Sequence, residues 1–504
     1  MAAVAETPAS PLPALVGALQ KGSAWLIAVL ATLPSIFFWQ GGLTDLDEGF
    51  YGAVVRDMLR RGDAITPTLN GVPWFEKPIL SYWLAMPTVA LFPNEFGARL
   101  PSYLCTLATA YVVYQFAFRH FSRATATLAT FAYGGSLLVA ILGRMMMTDP
   151  AFVLCLTLAF TLFYDSLVGD SRLRIGTAAF LGLSTLAKGP VGVVLFFIAA
   201  GILYARVPRL REAFKGHWLV GFVVFLAVVS TWYVPCYLAN GQVFIQKFLI
   251  EQNIGRFAGG DKAHTVPAWL NPIFYIPVIA LALIPWVTAA ITGLVRRRKN
   301  DDWPEETFAV RQWLWIWAAV IVGLFTVSGT KLVHYIAPAL VPLAILAVWL
   351  PQENGLTFRN WRRVLVWLPM AMTLTGAGFT LYSQAQFGEV QHLARSANRI
   401  PEPLIIFQTG RPADEEIKIG LEMQDTSNPS VLFYYQRRAV DTGDTATLKF
   451  FPLPALVLMP KRARTPELEA DLQTAGRAFE PAFPGSEGER YALYRIIAPA
   501  NAAR

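Results

Sequence analysis

Charge is what this chain of 504 residues has least of: 15% are Asp, Glu, Lys or Arg, against about 25% in ordinary soluble domains. Cysteine is equally scarce. The three present, Cys105, Cys155 and Cys236, lie in apolar runs and read as small packing residues. That excludes a disulfide scaffold and a cysteine-based metal knuckle. No glycine-rich phosphate loop, dinucleotide fingerprint or internal repeat stands out, so no nucleotide cofactor is expected. What is abundant is apolar: 55% of residues are hydrophobic, 13% aromatic, and the mean hydropathy is +0.43. A soluble fold of this length could not hide so much apolar surface, so the chain reads as a polytopic membrane protein.

Apolar runs at 22–41, 97–118, 124–143, 150–167, 174–187, 190–205, 218–238, 269–295, 312–328, 334–350 and 364–382 predict eleven membrane spans, 11–13 with missed pairs. The pair 174–187 and 190–205 is joined only by Lys188-Gly189-Pro190. A shorter apolar segment, 79–92, reads as interfacial or re-entrant. The net charge of +8 is explained by where the basic residues fall. Arg119 and Arg123, then 206–215, 296–299 and 359–363, all land on one side if the N-terminus is cytoplasmic. They are positive-inside anchors, and no nucleic-acid partner is expected. After residue 383 the charge density becomes ordinary. Strand-like runs at Leu404–Phe407, Val431–Tyr435, Leu456–Met459 and Tyr491–Ile496, with a helical pattern over Pro466–Arg477, predict a small soluble α/β domain at 384–504. The membrane part is then 1–383.

The same parity puts the polar residues on the outer face. Asp47-Glu48 follows the first span, and spacing alone leaves two readings. One is a catalytic base or cation ligand; the other is Asp47 capping a helix over Gly49–Arg61, with Glu48 in its first turn. Trp74-Phe75-Glu76-Lys77-Pro78 is a stiff interfacial segment in which Lys77 either meets a lipid phosphate or snorkels to the headgroups. Asp149-Pro150 is a good helix start, yet it also brings a second carboxylate to the level of Asp47. The loop 239–268 carries Asn253, Arg256, Asp261 and His264. Lys331 and Tyr335 enter a later span from the same side. Lys77, Lys188, Arg256 and Lys331 thus offer four cations at one face, an arrangement suited to a phosphate. A transporter would place such groups nearer mid-membrane.

These motifs, in this order over roughly residues 40–350, resemble the membrane-embedded C-type (GT-C) glycosyltransferases of the protein O-mannosyltransferase-like superfamily, and within it the bacterial lipid A aminoarabinose transferase group. The resemblance rests on Asp47-Glu48 with Tyr51, Arg56-Asp57-Met58-Leu59, Trp74–Pro78, Thr148-Asp149-Pro150, Lys188-Gly189, Arg256-Phe257 with His264, Leu283-Ile284-Pro285-Trp286, and Lys331-Leu332 with Tyr335. It implies an all-α polytopic membrane bundle with interfacial helices in the first outer loop and a periplasmic C-terminal domain. The implied activity is inverting transfer of one sugar from a polyprenyl-phosphate donor, of the undecaprenyl type, to lipid A, lipopolysaccharide or another envelope glycolipid. The implied location is a bacterial inner membrane. The rival reading is a polyprenyl-lipid or sugar flippase. By position, Asp47 and Asp149 match the acidic catalytic sites, and Glu48 beside Asp47 is a third catalytic candidate. Lys77, Arg256 and Tyr335 match the surroundings of the carrier phosphate, to which Lys331 and Lys188 are added from their place at the same face. Glu76 and His264 mark the region associated with a divalent metal ion. The chain departs from that pattern at Asn253, where the aminoarabinose enzymes carry a histidine.

Overall fold

The computed structural model describes residues 24–44, 47–255, 267, 269–295, 305–353, 362–408 and 428–498. It is dominated by helices: α1 (Ala24–Ala31), α2 (Asp47–Arg61), α3 (Leu80–Leu91), α4 (Glu95–His120), α5 (Arg123–Gly134), α6 (Leu137–Leu142), α7 (Asp149–Val168), α8 (Leu173–Lys188), α9 (Val191–Arg206) and α10 (Trp218–Phe244). A π-helical segment, Ile245–Gly255, continues α10. Then follow α11 (Tyr275–Ala282), α12 (Trp286–Val295), α13 (Glu305–Val327), a 3₁₀ segment Val333–Ala339, α14 (Leu340–Glu353) and α15 (Arg362–Ala397).

Among the described residues, four helical stretches are long and apolar enough to cross a membrane: Asp149–Val168, Trp218–Gln252, Thr307–Val327 and Val333–Gln352. Two broken pairs, Val191–Arg206 with Pro208–Phe214 and Tyr275–Ala282 with Trp286–Thr292, bend by 112° and 106°. The apolar runs are cut where backbone chemistry demands it. Pro34 ends α1 in a 3₁₀ turn, Gly135-Ser136 splits α5 from α6, and Pro285 separates α11 from α12. The helix Asp149–Val168 is largely enclosed by its neighbours, whereas α10 lies on the rim, with Leu219 and Leu238 each 77% exposed. Such an apolar outer surface belongs against lipid.

The segment after α1 folds into α2, a short hairpin of β1 (Thr68–Leu69) and β2 (Val72–Pro73), and α3. Buried Asp57 ties this unit together. Its Oδ2 accepts hydrogen bonds from Thr68 Oγ1 and the Gly71 N–H, each at 2.7 Å. The hairpin is thereby fixed to α2, and with it the Trp74–Pro78 segment that follows. Phe50 and Trp74 stack at 4.9 Å across the joint.

The C-terminal part is a mixed five-stranded sheet ordered β4-β3-β5-β7-β6. Its strands are β3 (Leu404–Phe407), β4 (Ala439–Thr442), β5 (Ala455–Pro460), β6 (Ala478–Pro481) and β7 (Tyr491–Ile497), with helices α16 (Ser430–Tyr434), α17 (Thr445–Phe450) and α18 (Pro466–Thr474). A single helix, α15, runs through position 384 before the sheet begins. Val431–Tyr435 is helical rather than extended. All five side chains are buried, so no alternation marks a face, and a short uniformly apolar run is ambiguous between helix and strand. That helix docks the sheet onto the membrane part. The Leu43 N–H donates to Tyr434 Oη at 2.7 Å, Tyr434 Oη donates to Glu95 at 2.8 Å, and the Arg56 guanidinium lies 4.8 Å from the Phe433 ring centre.

Candidate active site

Two helix ends and two connecting segments converge next to the start of α2. Lys188 is the last residue of α8, where a cation complements the helix dipole. Gly189 follows at φ +77°, a left-handed conformation that a side chain would strain, and the turn delivers Lys188 to the first residue of α7. There its ammonium donates to Asp149 Oδ1. Asp149 is 1% exposed and is not the N-cap; Thr148 holds that position. His334, in the 3₁₀ segment before α14, places Nε2 4.0 Å from Asp149 Oδ2. The Lys188 ammonium also sits 4.7 Å from the centre of the Tyr335 ring. A buried carboxylate thus carries one cation and one imidazole, with an aromatic face beside them.

Asp47 stands apart from this pair in character. It opens α2 and is exposed to solvent, with Tyr51 Oη donating to its Oδ1 at 3.3 Å. Burial, then the Asp47 carboxylate, push the Tyr51 phenol well above its usual range, with Tyr82, Asp149 and Glu76 adding to the effect. Tyr51 is therefore a permanent donor. Asp47 and Lys77 also lie close enough to His334 to act on it electrostatically. Asp47, Glu76, Lys77, Asp149, Lys188, Tyr335, Tyr51 and His334 therefore form one neighbourhood drawn from five separate stretches of sequence.

Glu48, the neighbour of Asp47, faces the other way. Fully buried, it accepts from Thr44 N at 2.7 Å, Thr44 Oγ1 at 2.9 Å, the Met146 N–H at 2.9 Å and Arg99 Nη2 at 2.8 Å. Burial alone would raise its carboxyl, but the Arg99 guanidinium and the Met146 and Thr44 amides bring it below the usual carboxylate value. Arg99 spends its other donors on the carbonyls of Phe38, Gln40, Gly41 and Gly42. Every lone pair and N–H here serves to hold α2, α4 and the loop before α7 together. The Lys331 ammonium donates to the Ser328 carbonyl just past the end of α13, and burial lowers its pKa.

Glu76 accepts a 3.4 Å hydrogen bond from Gln252 in the π-helical segment. Arg256 and His264 lie outside the described residues, as does the side chain of Asn253. Among the described residues no group of three His, Cys, Asp or Glu side chains is placed to share a metal ion. The described side chains alone do not make a metal shell.

Sequence reasoning passed over His334, Tyr51 and Arg99 as site residues. A lone arginine inside an apolar run was the available signal for Arg99, since an ionisable group at such a place demands a partner.

Residues 76–234 match the family model described as dolichyl-phosphate-mannose-protein mannosyltransferase. The fold superimposes on the crystal structure of ArnT from Cupriavidus metallidurans bound to undecaprenyl phosphate with a TM-score of 0.72, at 18% identity, covering 97% of this chain and 98% of that one. An oligosaccharyltransferase from Archaeoglobus fulgidus is more distant, with a TM-score of 0.51 at 12% identity over 95% of this chain and 74% of that one. Fold and sequence point the same way: the chain has the fold of the ArnT structure, and its sequence is similar to the undecaprenyl phosphate-alpha-4-amino-4-deoxy-L-arabinose arabinosyl transferases. That of Shewanella sediminis is 28% identical over 88% of this chain and 77% of its own length; that of Yersinia enterocolitica is 30% identical over 65% and 59%. The chain spans less than two thirds of the length of several such relatives.

Proposed function

We propose that the protein transfers a single sugar from an undecaprenyl-phosphate-type donor to lipid A, lipopolysaccharide or another envelope glycolipid, with inversion, at the periplasmic face of the inner membrane. The observation that carries this reading is the exposed Asp47 carboxylate set beside the Lys77, Lys188 and His334 group. A departing lipid phosphate needs fixed positive charge where its own charge develops. Lys77 and Lys188 supply it among the described residues, and Arg256 is assigned the same task from its place in the sequence. Asp149 holds Lys188 at the end of α8, so that its ammonium is positioned before the donor arrives.

If the acceptor is a hydroxyl, Asp47 takes its proton as the new glycosidic bond forms, a contribution of about 10²–10⁴-fold. If the acceptor is an ionised phosphate, no base is needed, and Asp47 instead stabilises the sugar as positive charge builds on it. A divalent ion would require residues of the 256–266 stretch beside Glu76; transfer measured with EDTA and with restored Mg²⁺ reads that requirement. Mass spectrometry of envelope lipids with and without the gene tests the whole reading. A mass difference of one sugar residue on a glycolipid supports it. Movement of lipid between leaflets with no new glycosidic bond would assign a flippase instead.

A further inference from the structure

A cavity of about 250 Å³ lies between the turn after α1, α4, α6, the loop before α7 and α15, lined by Phe38, Arg99, Ile141, Arg144, Gly376 and Thr380 among others. Neither Asp47, Asp149 nor Lys188 lines it. Two guanidinium groups do, and they differ in one respect. Arg99 is matched by Glu48. Arg144 is 9% exposed, and no carboxylate among the described residues lies within ion-pair distance of it. Its Nη2 donates to Thr380 Oγ1 at 3.2 Å, while its Nη1 is buried without a hydrogen-bond partner. Burial, then repulsion from Arg99, both work against its charge. An unmatched buried cation with an idle donor is costly, and a native fold keeps one where something binds it.

A Cβ on Gly376 would meet Arg144 Nη1, so the guanidinium packs closely against α15 at that glycine. The rest of the lining is mostly apolar, and the cavity is open toward the outer surface of the bundle. Ile141, which lines it, is 38% exposed; Phe37, Trp39 and Leu381, chain neighbours of the lining Phe38 and Thr380, are 42%, 40% and 70% exposed. At this volume the cavity is smaller than pockets that enclose a whole drug-sized ligand, about 300–1,000 Å³. It suits a headgroup, with acyl chains running outside over the apolar rim.

We infer that the cavity is a binding site for the phosphate headgroup of an anionic lipid, with Arg144 as its phosphate ligand. The inference concerns binding and does not rest on the transferase reading. It gives the phosphate the idle Nη1 of Arg144, with the fully bonded Arg99 guanidinium in the same lining as a second positive charge. Arg99 holds Glu48, and Glu48 adjoins Asp47. The lipid site is thus one ion pair removed from the candidate active site.

The test uses the full chain, purified in detergent, stripped of lipid and titrated with dioleoyl-phosphatidylglycerol under native mass spectrometry. Dioleoylglycerol supplies the same chains without phosphate, and inorganic phosphate supplies the anion without chains. The tightest phosphatidylglycerol site should weaken at least about tenfold in Arg144→Gln, the loss of a charge-assisted hydrogen bond, and recover in part in Arg144→Lys. Neither control ligand should occupy it at matched concentration. Equal phosphatidylglycerol affinity in wild type and Arg144→Gln overturns the inference, as does displacement of the lipid by equimolar phosphate. Should Arg144→Gln not fold, Ile141→Trp decides, because it narrows the mouth and leaves Arg144 in place. Undiminished lipid binding in that variant is the overturning result.

Discussion

Glu48 and Arg99 form a buried ion pair one residue away from the solvent-exposed carboxylate of Asp47. Two adjacent acidic residues thus have opposite environments. Residue 48 has its oxygens occupied by five donor groups, and residue 47 has one tyrosine contact. The pair fixes the backbone from which Asp47 projects, so positioning and chemistry are divided between neighbours.

The first prediction follows from that division. Asp47→Asn removes a charge from an exposed side chain and leaves the packing untouched. Sugar transfer should fall by about 10²–10⁴-fold if Asp47 is the base, while the melting temperature of the purified protein stays within error of wild type. Transfer retained near the wild-type rate removes Asp47 from the reaction.

Glu48→Gln should behave in the reverse order. It keeps the shape and deletes the charge that Arg99 needs, and breaking one partner of a buried pair costs about 3–5 kcal/mol. Thermal denaturation in detergent should show the loss before any assay is run. The pH dependence has a definite sign. Glu48 is held below its ordinary value of 4.5, so its stabilisation is fully present above that pH and is lost as the pH falls through the lowered folded value. Wild type should therefore lose stability on acidification below about pH 4.5, and Glu48→Gln should lose less. Parallel acid curves for the two proteins refute the assignment.

How much of this was legible beforehand depends on what the backbone could announce. The corner at Lys188-Gly189-Pro190 was readable, because glycine and proline punctuate local structure. Its consequence, Lys188 on Asp149, joins residues 39 apart in sequence and has no local signature. Asp149 before Pro150 fits a cap by every neighbouring residue; only α8 arriving alongside turns it into half of an ion pair. Lys331 was grouped with the other cations by side of the membrane, which gave no sign of its hydrogen bond to the Ser328 carbonyl. Side of the membrane is a coarse coordinate, fixed by charge counting, whereas direction within a face is decided by tertiary packing. The same limit explains Val431–Tyr435, whose helical form is settled by the surface of α2 it covers.

Tyr51 offers a graded test. Its phenol is held protonated by burial and by Asp47, so it donates to Asp47 throughout the accessible pH range. Tyr51→Phe deletes that single hydrogen bond, worth about 0.5–1.5 kcal/mol net. Transfer should drop by roughly two- to twelvefold, far less than in Asp47→Asn. In the double variant the tyrosine change should have no further effect, since its partner has already gone. Equal additional loss in both backgrounds would show that Tyr51 acts on something other than Asp47.

Asp149 and Lys188 call for a cycle rather than a single substitution, because each alone strands the other as a buried charge. Lys188→Met and Asp149→Asn should each lower stability by several kcal/mol, the general cost of an uncompensated buried ion. Combining them removes both charges at once, and stability should return most of the way to wild type. Activity should not return with it: a phosphate leaving group still lacks the Lys188 ammonium, so the double variant should be as slow as the worse single one. The measurement is a thermodynamic cycle on melting, run alongside transfer rates on the same preparations. If the double variant regains both stability and rate, the pair is only a structural staple. If it regains stability alone, the charge at the end of α8 is part of the reaction, and Asp149 is the residue that keeps it there.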